Sequence, residues 1–312
     1  MKFSRRPVLL LAFAVSALSA HGQTSVPVSR PVRPIPAVAH VVIISVDGLR
    51  PDKALQANMP TLRAMLREGT YTFWARTTAM AITLPSHTSM LTGVTPAKHG
   101  IYWNDDLPFS QPVYPKVPTV LEMATRVGCV TAMVAGKSKF STFNKPGAIT
   151  YTWVPAGTNT KDDNDSVLVH AVRIIEENKP DLIFIHFPDC DTVGHAKGWG
   201  SAEYLAQVEK TDTQLAAVLA ALDRAQLRAS SIVILTADHG GQGLTHGPDD
   251  ERSRNIPWII TGPGVRKGFD LTSFAALTVH TEDTCATACW LLGLPQQPYF
   301  DGNSVDEAFV HQ

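Results

Sequence analysis

An apolar run ends abruptly in acid and imidazole side chains in the stretch Ile232-Val233-Ile234-Leu235-Thr236-Ala237-Asp238-His239-Gly240-Gly241-Gln242-Gly243-Leu244-Thr245-His246-Gly247. A short run of this kind, followed by glycines, is typical of a fully buried strand. Open α/β sheets place their ligand sites at the carboxyl ends of strands. Neighbouring carboxylate and imidazole groups, with a second imidazole seven residues later, suit metal ligation. The stretch therefore predicts a metal site at the end of a buried strand.

The composition is that of an ordinary globular protein. Of 312 residues, 44% are hydrophobic and 18% are charged, and the formal net charge is -1. A chain with so little net charge lacks the basic footprint of nucleic-acid-binding proteins. Four cysteines are too few to form a disulfide scaffold in a chain of this length.

The N-terminus has the order of a secretory signal. Lys2, Arg5 and Arg6 precede an apolar run at residues 8–15 and small residues at 16–20. The run is too short to remain as a membrane-spanning helix. We predict a signal peptide at residues 1–22, of the Sec or twin-arginine type, and a periplasmic or secreted protein. A proline-rich lead at 23–39 and a single domain at 40–312 would follow.

Strand and helix patterns alternate along that domain. Strands are predicted at residues 40–46, 72–77, 129–135, 182–187, 232–237 and 257–260. Helices are predicted at residues 61–68, 85–91, 118–127, 162–178, 202–224 and 284–292. This alternation predicts the α/β class, as a three-layer sandwich with a mainly parallel central sheet.

Polar groups follow three of the predicted strands. They are Asp47 after the first, Asp191 and His195 after the strand at 182–187, and Asp238, His239 and His246 after the strand at 232–237. Parallel strands would bring these groups to one edge of the sheet. Three carboxylates and three imidazoles in one place are best neutralised by two divalent metal ions, most simply zinc.

Each of these groups also has an ordinary structural explanation. Asp47 and Gly48 could form a turn, Asp238 could cap the end of its strand, and Asp191 could pair with His195 on a helix face. Their common position at strand ends favours a site instead. His87, His99, His170 and His280 lack such a context, and we assign them structural roles.

Thr83 is the candidate nucleophile. It precedes a predicted helix in which Pro85 lies near the first position. The positive end of the helix dipole favours an alkoxide and an incoming phosphate there, and a nearby metal would lower the pKa of the hydroxyl. The alternative is a threonine that only caps the helix.

The ordered set of motifs resembles the alkaline phosphatase superfamily. It consists of Asp47-Gly48, Thr83-Leu84-Pro85-Ser86, His99-Gly100-Ile101, Asp191-x-x-Gly194-His195, Asp238-His239-Gly240 and His246-Gly247. Within the superfamily, the chain is most similar to the type I phosphodiesterases and nucleotide pyrophosphatases over residues 40–310. The resemblance implies an exported two-zinc hydrolase that acts on the phosphodiester or pyrophosphate bonds of a small phosphorylated substrate.

The resemblance also assigns roles to residues. One zinc would be held by Asp191, His195 and His246, and the other by Asp47, Asp238, His239 and the nucleophile Thr83. Asn104 occupies the position of an asparagine that donates to a phosphoryl oxygen. Thr83 would attack phosphorus in line to give a phospho-threonine, which water then hydrolyses.

Substrate recognition departs from the nucleotide-cleaving branch. That branch holds the base with an aromatic residue after the nucleophile and with a tyrosine five residues before the matching aspartate; here these positions are Leu84 and His186. The long insertion between the last two motifs is missing, since six residues separate His239 from His246. Tyr102, Trp103 and Trp199 are other aromatic candidates for base stacking. Recognition of a nucleotide base is therefore in question.

Lys137 and Lys139 resemble the paired lysines with which phosphonoacetate hydrolases of the superfamily hold anionic substrate groups. A pair of solvated surface lysines is the alternative. A phosphomonoesterase or phosphonoacetate hydrolase is thus the second hypothesis, and an inactive metal-stabilised binding protein is the third. Sulfatases are disfavoured, because Thr83-Leu84-Pro85-Ser86-His87 lacks both the cysteine or serine and the arginine of their motif.

Overall fold

The computed structural model describes residues 31–106, 113–247 and 249–310. The predicted signal peptide at residues 1–22 lies outside these ranges. Of the predicted lead, residues 31–39 are described and contain no helix or strand. In the described part of the chain, no helix is both long and apolar enough to cross a membrane.

Eight strands form one sheet in the described residues. They are β1 (His40–Val46), β2 (Gly69–Arg76), β3 (Thr131–Ala135), β4 (Tyr151–Trp153), β5 (Leu182–Phe187), β6 (Ser231–Thr236), β7 (Asn255–Thr261) and β8 (Phe269–Asp270). Their order across the sheet is β4-β3-β5-β1-β6-β7-β2-β8, and only β7 runs antiparallel to its neighbours. This arrangement confirms the prediction of a mainly parallel sheet.

The described residues also contain ten α-helices, of which all but the last lie between strands of the sheet. They are α1 (Pro51–Gln56), α2 (Pro60–Glu68), α3 (Thr83–Thr92), α4 (Pro96–His99), α5 (Val120–Arg126), α6 (Asn164–Asn178), α7 (Asp189–Lys197), α8 (Ala202–Arg224), α9 (Glu251–Arg254) and α10 (Asp283–Leu291). Helices α1, α2, α6 and α7 pack on α8, whereas α3 packs with α4, α5 and α10. The sheet and these two helical groups form the three layers of the sandwich.

The central strands are buried on both faces. Every residue of β5 and β6 is buried, and so is every residue of β1 after His40. Strands covered by helices on both sides read as near-continuous apolar runs, as these do. Their carboxyl ends lie at one edge of the sheet, since β1 pairs in parallel with both β5 and β6.

The start of α2 is capped by a residue that lies far away in sequence. Met59, the N-cap residue, makes no side-chain cap. Instead, the buried carboxylate of Asp212 on α8 accepts hydrogen bonds from the main-chain nitrogens of Thr61 at 2.9 Å and Leu62 at 2.8 Å. Asp212 thereby satisfies two of the free N–H groups of the first turn and joins two helices.

Replacing Asp212 by alanine should lower the free energy of unfolding by about 2 kcal/mol, because two buried N–H groups lose their acceptor. Urea unfolding followed by circular dichroism measures the loss. The control is Glu68→Ala, which removes an exposed ion pair with Lys267 and should change stability little, because solvent screens such a pair. Equal losses in the two variants would contradict the capping role.

Candidate active site

The structure brings the predicted site residues to the carboxyl edge of the three central strands. Asp47 follows β1, and Asp238 and His239 lie just beyond β6. Helix α7 begins immediately after β5 and carries Asp191 and His195. The remaining members are His246, in the loop after β6, and Thr83, the first residue of α3.

Asp47, Asp238 and His239 form one compact group. All three are fully buried. Nε2 of His239 lies 3.4 Å from Oδ1 of Asp47 and 3.1 Å from Oδ2 of Asp238. Oγ1 of Thr83 lies 3.5 Å from the same nitrogen. These atoms are close enough together to bind one ion.

Asp191 is the centre of a second group. Its Oδ1 lies 3.3 Å from Nε2 of His195 and 3.5 Å from Nε2 of His246. The side chain of His195 is 45% exposed, so this group opens toward solvent. His239 borders both groups, since its ring stacks on that of His246 at a centroid distance of 3.6 Å. The ligand atoms of Asp191, His239 and His246 all lie within 4.8 Å of one another.

All three imidazoles present the same nitrogen to the site. Nδ1 donates to a main-chain carbonyl oxygen in each case: that of Gly240 for His239 at 2.8 Å, Ala81 for His246 at 2.9 Å and Leu244 for His195 at 3.0 Å. A proton on Nδ1 leaves Nε2 with a free lone pair. Burial also lowers the pKa of His239 to about 3, which keeps this ring neutral. This arrangement suits His239 and His246 to metal ligation; at His195, the hydrogen bond to Asp191 raises the pKa, so a metal would compete there with a proton.

In each of the three carboxylates, one oxygen accepts hydrogen bonds from the protein, and the other has no partner in the described residues. Oδ2 of Asp47 and Oδ2 of Asp191 accept hydrogen bonds from Lys137, and Oδ1 of Asp238 accepts from the main-chain nitrogens of Gly48 and His239. Their second oxygens are buried and have no hydrogen-bond partner among the described residues. Such orphan oxygens are costly unless a cation binds them. The donor set therefore fits divalent metal ions.

Gly48 allows the turn after β1 to approach α7. Its φ of 74° lies in the left-handed region, and a Cβ atom there would lie 3.0 Å from Cα of Asp191. The carbonyl oxygen of Gly48 accepts hydrogen bonds from Nε1 of Trp199 at 2.9 Å and the hydroxyl of Tyr204 at 2.7 Å. Asp47-Gly48 is thus a turn that also points a carboxylate into the site.

Lys137 lies between the two groups. Its ammonium is 2.7 Å from Oδ2 of Asp47 and 2.7 Å from Oδ2 of Asp191. Burial alone would lower the pKa of Lys137, but the charges of Asp191 and Asp47 outweigh it and raise that pKa. We predicted this lysine as a substrate ligand; its ammonium is engaged here by the carboxylates. Lys139, the second of the pair, donates to the main-chain oxygen of Asn104.

A cavity of about 200 Å³ opens beside Asp191. It is lined by Asp106, Lys137, Lys139, Asn159, Thr160, Lys161 and Asp191. Lys139 and Lys161 have no carboxylate within 4.0 Å in the described part of the chain, so the cavity is suited to a negatively charged group.

Thr83 and Asn104 meet at the start of α3. The helix begins at Thr83 itself rather than after it, and the N-cap residue is Ile82. The hydroxyl of Thr83 lies 3.5 Å from Nε2 of His239 and so faces the group formed by Asp47, Asp238 and His239. Oδ1 of Asn104 accepts from the main-chain nitrogen of Leu84 at 2.9 Å, which leaves its amide nitrogen to donate to a ligand.

Two histidines that support the site were not assigned to it from the sequence. Nε2 of His186 lies 2.8 Å from Oδ2 of Asp47, and Nδ1 of His87 lies 2.8 Å from the carbonyl oxygen of Thr83 and 3.5 Å from Oδ2 of Asp238. The pairing register of the strands explains the position of His186. It lies opposite Ser45 of β1, and Ser45 and Asp47, two residues apart, point to the same face of the sheet. His99 is a buried neighbour of Ser89, and His170 stacks on Trp153.

The two positions that would hold a base in the nucleotide-cleaving branch are closed. Leu84 and His186 are both fully buried. Trp199 is also buried, and its indole packs against Gly194 and Gly241, so it serves the structure of the loops. Tyr102, by contrast, is 51% exposed. Of these four side chains, only that of Tyr102 is available for stacking.

Several known proteins are similar to this chain. Human ectonucleotide pyrophosphatase/phosphodiesterase family member 7 is 24% identical over 252 residues, which are 76% of this chain and 54% of the human protein. An uncharacterized pyrophosphatase/phosphodiesterase of Schizosaccharomyces pombe is 24% identical over 218 residues, 64% of this chain and 44% of that protein. The chain thus spans about half the length of these relatives.

Solved structures share the fold. Murine ectonucleotide pyrophosphatase/phosphodiesterase 5, an inactive variant in complex with AMP, superposes with a TM-score of 0.71 at 14% identity, covering 87% of this chain and all of that one. A putative sulfatase from Bacteroides thetaiotaomicron superposes with a TM-score of 0.69 at 16% identity, covering 90% and 75%. These matches confirm the alkaline phosphatase-like three-layer sandwich.

The family itself follows from the sequence match. The profile described as type I phosphodiesterase / nucleotide pyrophosphatase matches residues 41–252, more than half of the chain. This range contains every predicted metal ligand and Thr83. The chain therefore belongs to the type I phosphodiesterase/nucleotide pyrophosphatase family of the alkaline phosphatase superfamily.

Proposed function

We propose that the protein is an exported hydrolase that uses two zinc ions to cleave phosphodiester or pyrophosphate bonds through a phospho-threonine at Thr83. Membership of a phosphodiesterase and pyrophosphatase family indicates a hydrolase of small phosphorylated molecules. The bond cleaved, the metals, the covalent intermediate and the export are our proposals.

The strongest support for bound metal ions comes from three carboxylates that each have one oxygen without a hydrogen-bond partner in the described residues. Asp47, Asp191 and Asp238 each leave one buried oxygen unpartnered among the described residues, close to an imidazole nitrogen with a free lone pair. We assign Asp47, Asp238, His239 and Thr83 to one ion and Asp191, His195 and His246 to the other. When bound, divalent ions polarise phosphoryl oxygens and lower the pKa of a neighbouring hydroxyl.

Thr83 is placed to attack phosphorus. Its hydroxyl lies at the first position of α3, where the helix dipole favours negative charge on the incoming phosphoryl group. Its oxygen forms a bond to phosphorus while the bond to the leaving oxygen breaks, and water then cleaves the phospho-threonine and restores the hydroxyl. The amide nitrogen of Asn104 donates to a non-bridging oxygen in both steps.

The substrate is bound by charge more than by base stacking. Leu84 and His186 are buried and cannot stack on a base. Lys139, half-buried at the cavity beside Asp191, is the cation we assign to a distal anionic group, with Lys137 behind it. Tyr102 is exposed and remains available to a base.

The domain layout and location complete the proposal. Residues 1–22 serve as a signal peptide, 23–39 as a lead and 40–312 as one phosphohydrolase domain in the periplasm or outside the cell. The continuous sheet from β1 to β8, with no second sheet in the described residues, supports a single domain.

Relative rates on three substrates test the reaction. With purified protein of measured metal content, we expect nitrophenyl phosphodiester cleavage to exceed cleavage of the matched monoester and of phosphonoacetate by about tenfold or more, because family members act on diesters. If the monoester or phosphonoacetate is cleaved fastest, the assignment of the site stands, but the proposed diester cleavage is replaced by cleavage of that substrate. The lysine-lined cavity is the observation that favours this second candidate.

The inactive binding protein is the third outcome of the same assay. A protein that binds two metals and turns over none of the three substrates would establish it. Retention of Thr83 in contact distance of His239 argues for catalysis.

A further inference from the structure

The imidazole of His186 is fixed in one tautomer. It is fully buried on β5. Its Nδ1 lies 3.3 Å from the main-chain nitrogen of Gly136, which can only donate, so Nδ1 accepts. The proton is therefore on Nε2, which lies 2.8 Å from Oδ2 of Asp47 and donates to it.

The ring of His186 has little freedom to turn. The ring of Phe140 lies 4.3 Å away, centroid to centroid, and that of His87 lies 5.0 Å away, nearly perpendicular. The main chain is held as well, because Asp47 donates from its nitrogen to the carbonyl oxygen of Phe187 at 2.9 Å. Donor and acceptor are thus locked relative to each other by strand pairing and by packing.

This hydrogen bond acts together with that of Lys137 to fix which oxygen of Asp47 faces the site. Oδ2 receives the donors of His186 and Lys137, and Oδ1 is left unpartnered 3.4 Å from Nε2 of His239. With the flexible ammonium of Lys137 as the only remaining donor to Oδ2 among the described residues, the carboxylate would be less restrained and could rotate or bind an ion through both oxygens. Hydrogen-bonded outer partners of this type hold ligands in their binding orientation.

We infer that His186 is a positioning residue for the metal group formed by Asp47, Asp238 and His239, an inference that rests on the two metals of the proposed function. The position that would hold a base in the nucleotide-cleaving branch is turned inward here and orients a metal ligand. Lys137 contacts carboxylates of both groups, whereas His186 contacts a carboxylate of one. Loss of His186 should therefore weaken one metal site and spare the other.

Metal titration of His186→Phe tests this inference. The phenyl ring preserves packing on Phe140 and removes the donor. With Zn²⁺ titrated against a competing chelating dye, the wild type should bind two ions. The variant should bind one of them about 10- to 100-fold more weakly and the other unchanged. His186→Gln, whose amide can donate from nearly the same place as Nε2, should recover most of the loss.

The matched control is His99→Phe, which removes another buried imidazole, one that is hydrogen-bonded to Ser89, and should leave both zinc affinities unchanged. If His186→Phe does not fold, His186→Asn, whose shorter amide falls short of Asp47, replaces it in the comparison with His186→Gln. Two unchanged zinc affinities in the unrescued variant would overturn the inference, and equal weakening of both sites would do the same.

The metal count separates this inference from the proposed reaction. Selective loss of one zinc in a protein that cleaves none of the three phosphoester and phosphonate substrates upholds the positioning role and rejects the reaction. If the wild type cleaves the phosphodiester and both zinc affinities are unchanged in His186→Phe, the proposed reaction is upheld and the positioning role is rejected. A wild type that binds no zinc rejects both.

Discussion

Thr83→Ala is expected to lower kcat/KM for phosphodiester cleavage by about 10³-fold or more, because the attacking oxygen is lost. The side chain of Thr83 is not at the N-cap position of α3, which Ile82 occupies, and its hydroxyl pairs with His239, so α3 should keep its stability. We expect the bound metal to remain, since Asp47, Asp238 and His239 still provide three ligand atoms. Steady-state kinetics with metal analysis on the same sample measure both effects.

Thr83→Ser is the matched control for the loss of the nucleophile. It retains a hydroxyl at the first position of α3 and should retain measurable turnover. Acid-quenched wild-type enzyme should yield a peptide containing Thr83 with the mass of one added phosphoryl group, which the alanine variant cannot form. Undiminished hydrolysis by Thr83→Ala with metal bound would refute the covalent mechanism.

Removing the metals should abolish activity and destabilise the fold together. A ligand present at 1,000 times its dissociation constant adds about 4 kcal/mol to stability. Two ions bound this tightly would add about 8 kcal/mol. In a chain of this size, 1 kcal/mol corresponds to about 2 °C in Tm, so chelation should lower Tm by about 16 °C. The physical reason is the set of buried carboxylate oxygens that have no other partner in the described residues. Differential scanning calorimetry before and after chelation measures the shift.

The Thr83→Ala variant provides the control for chelation. It should show nearly the same fall in Tm as the wild type, because its carboxylates and imidazoles are intact, although it has no activity to lose. Added Zn²⁺ should restore Tm in both proteins and activity in the wild type alone. An enzyme stripped of metal that keeps its activity and its Tm would contradict the two-metal proposal.

The features that could be predicted from the sequence are those that depend on residues close together in the chain. Strands β1, β5 and β6 are buried on both faces, so each reads as a near-continuous apolar run with an acid close behind it. Parallel strands end at the same edge, which is why Asp47, Asp191 and Asp238 could be placed together without a structure. The prediction of the mainly parallel sheet is confirmed for that reason.

Features that depend on pairing between distant residues were not predictable in the same way. Asp212 caps a helix about 150 positions away, and no local pattern marks that contact. The edge strands β4 and β8 have three and two residues, too few for a periodic signal. Strand β7 was predicted, but not its direction. In its described residues, the chain between β6 and β7 contains a single helix, the four-residue α9, and β7 pairs antiparallel with β6.

The candidate site shows the same division. Ligand-bearing motifs could be read from the sequence, and the roles assigned to those residues stay predictions until metal and activity are measured. The hydrogen bonds that orient the proposed ligands could not be predicted from the sequence, because Lys137 and His186 donate to carboxylates on other elements. Lys137 also shows how a motif can mislead, since a lysine pair gives no sign of which ammonium faces inward.

The position of Lys137 between Asp47 and Asp191 has a consequence for electroneutrality. Three buried carboxylates and one buried ammonium leave a modest negative charge, which two divalent cations would more than cancel. A singly charged phosphodiester together with a deprotonated Thr83 would balance that excess. A doubly charged phosphomonoester in the same position would leave one uncompensated negative charge. Lys139 is the nearby cation that could neutralise it. If the proposed two divalent ions are bound, the buried ammonium would thus favour a singly charged substrate, which leaves no charge in the centre uncompensated.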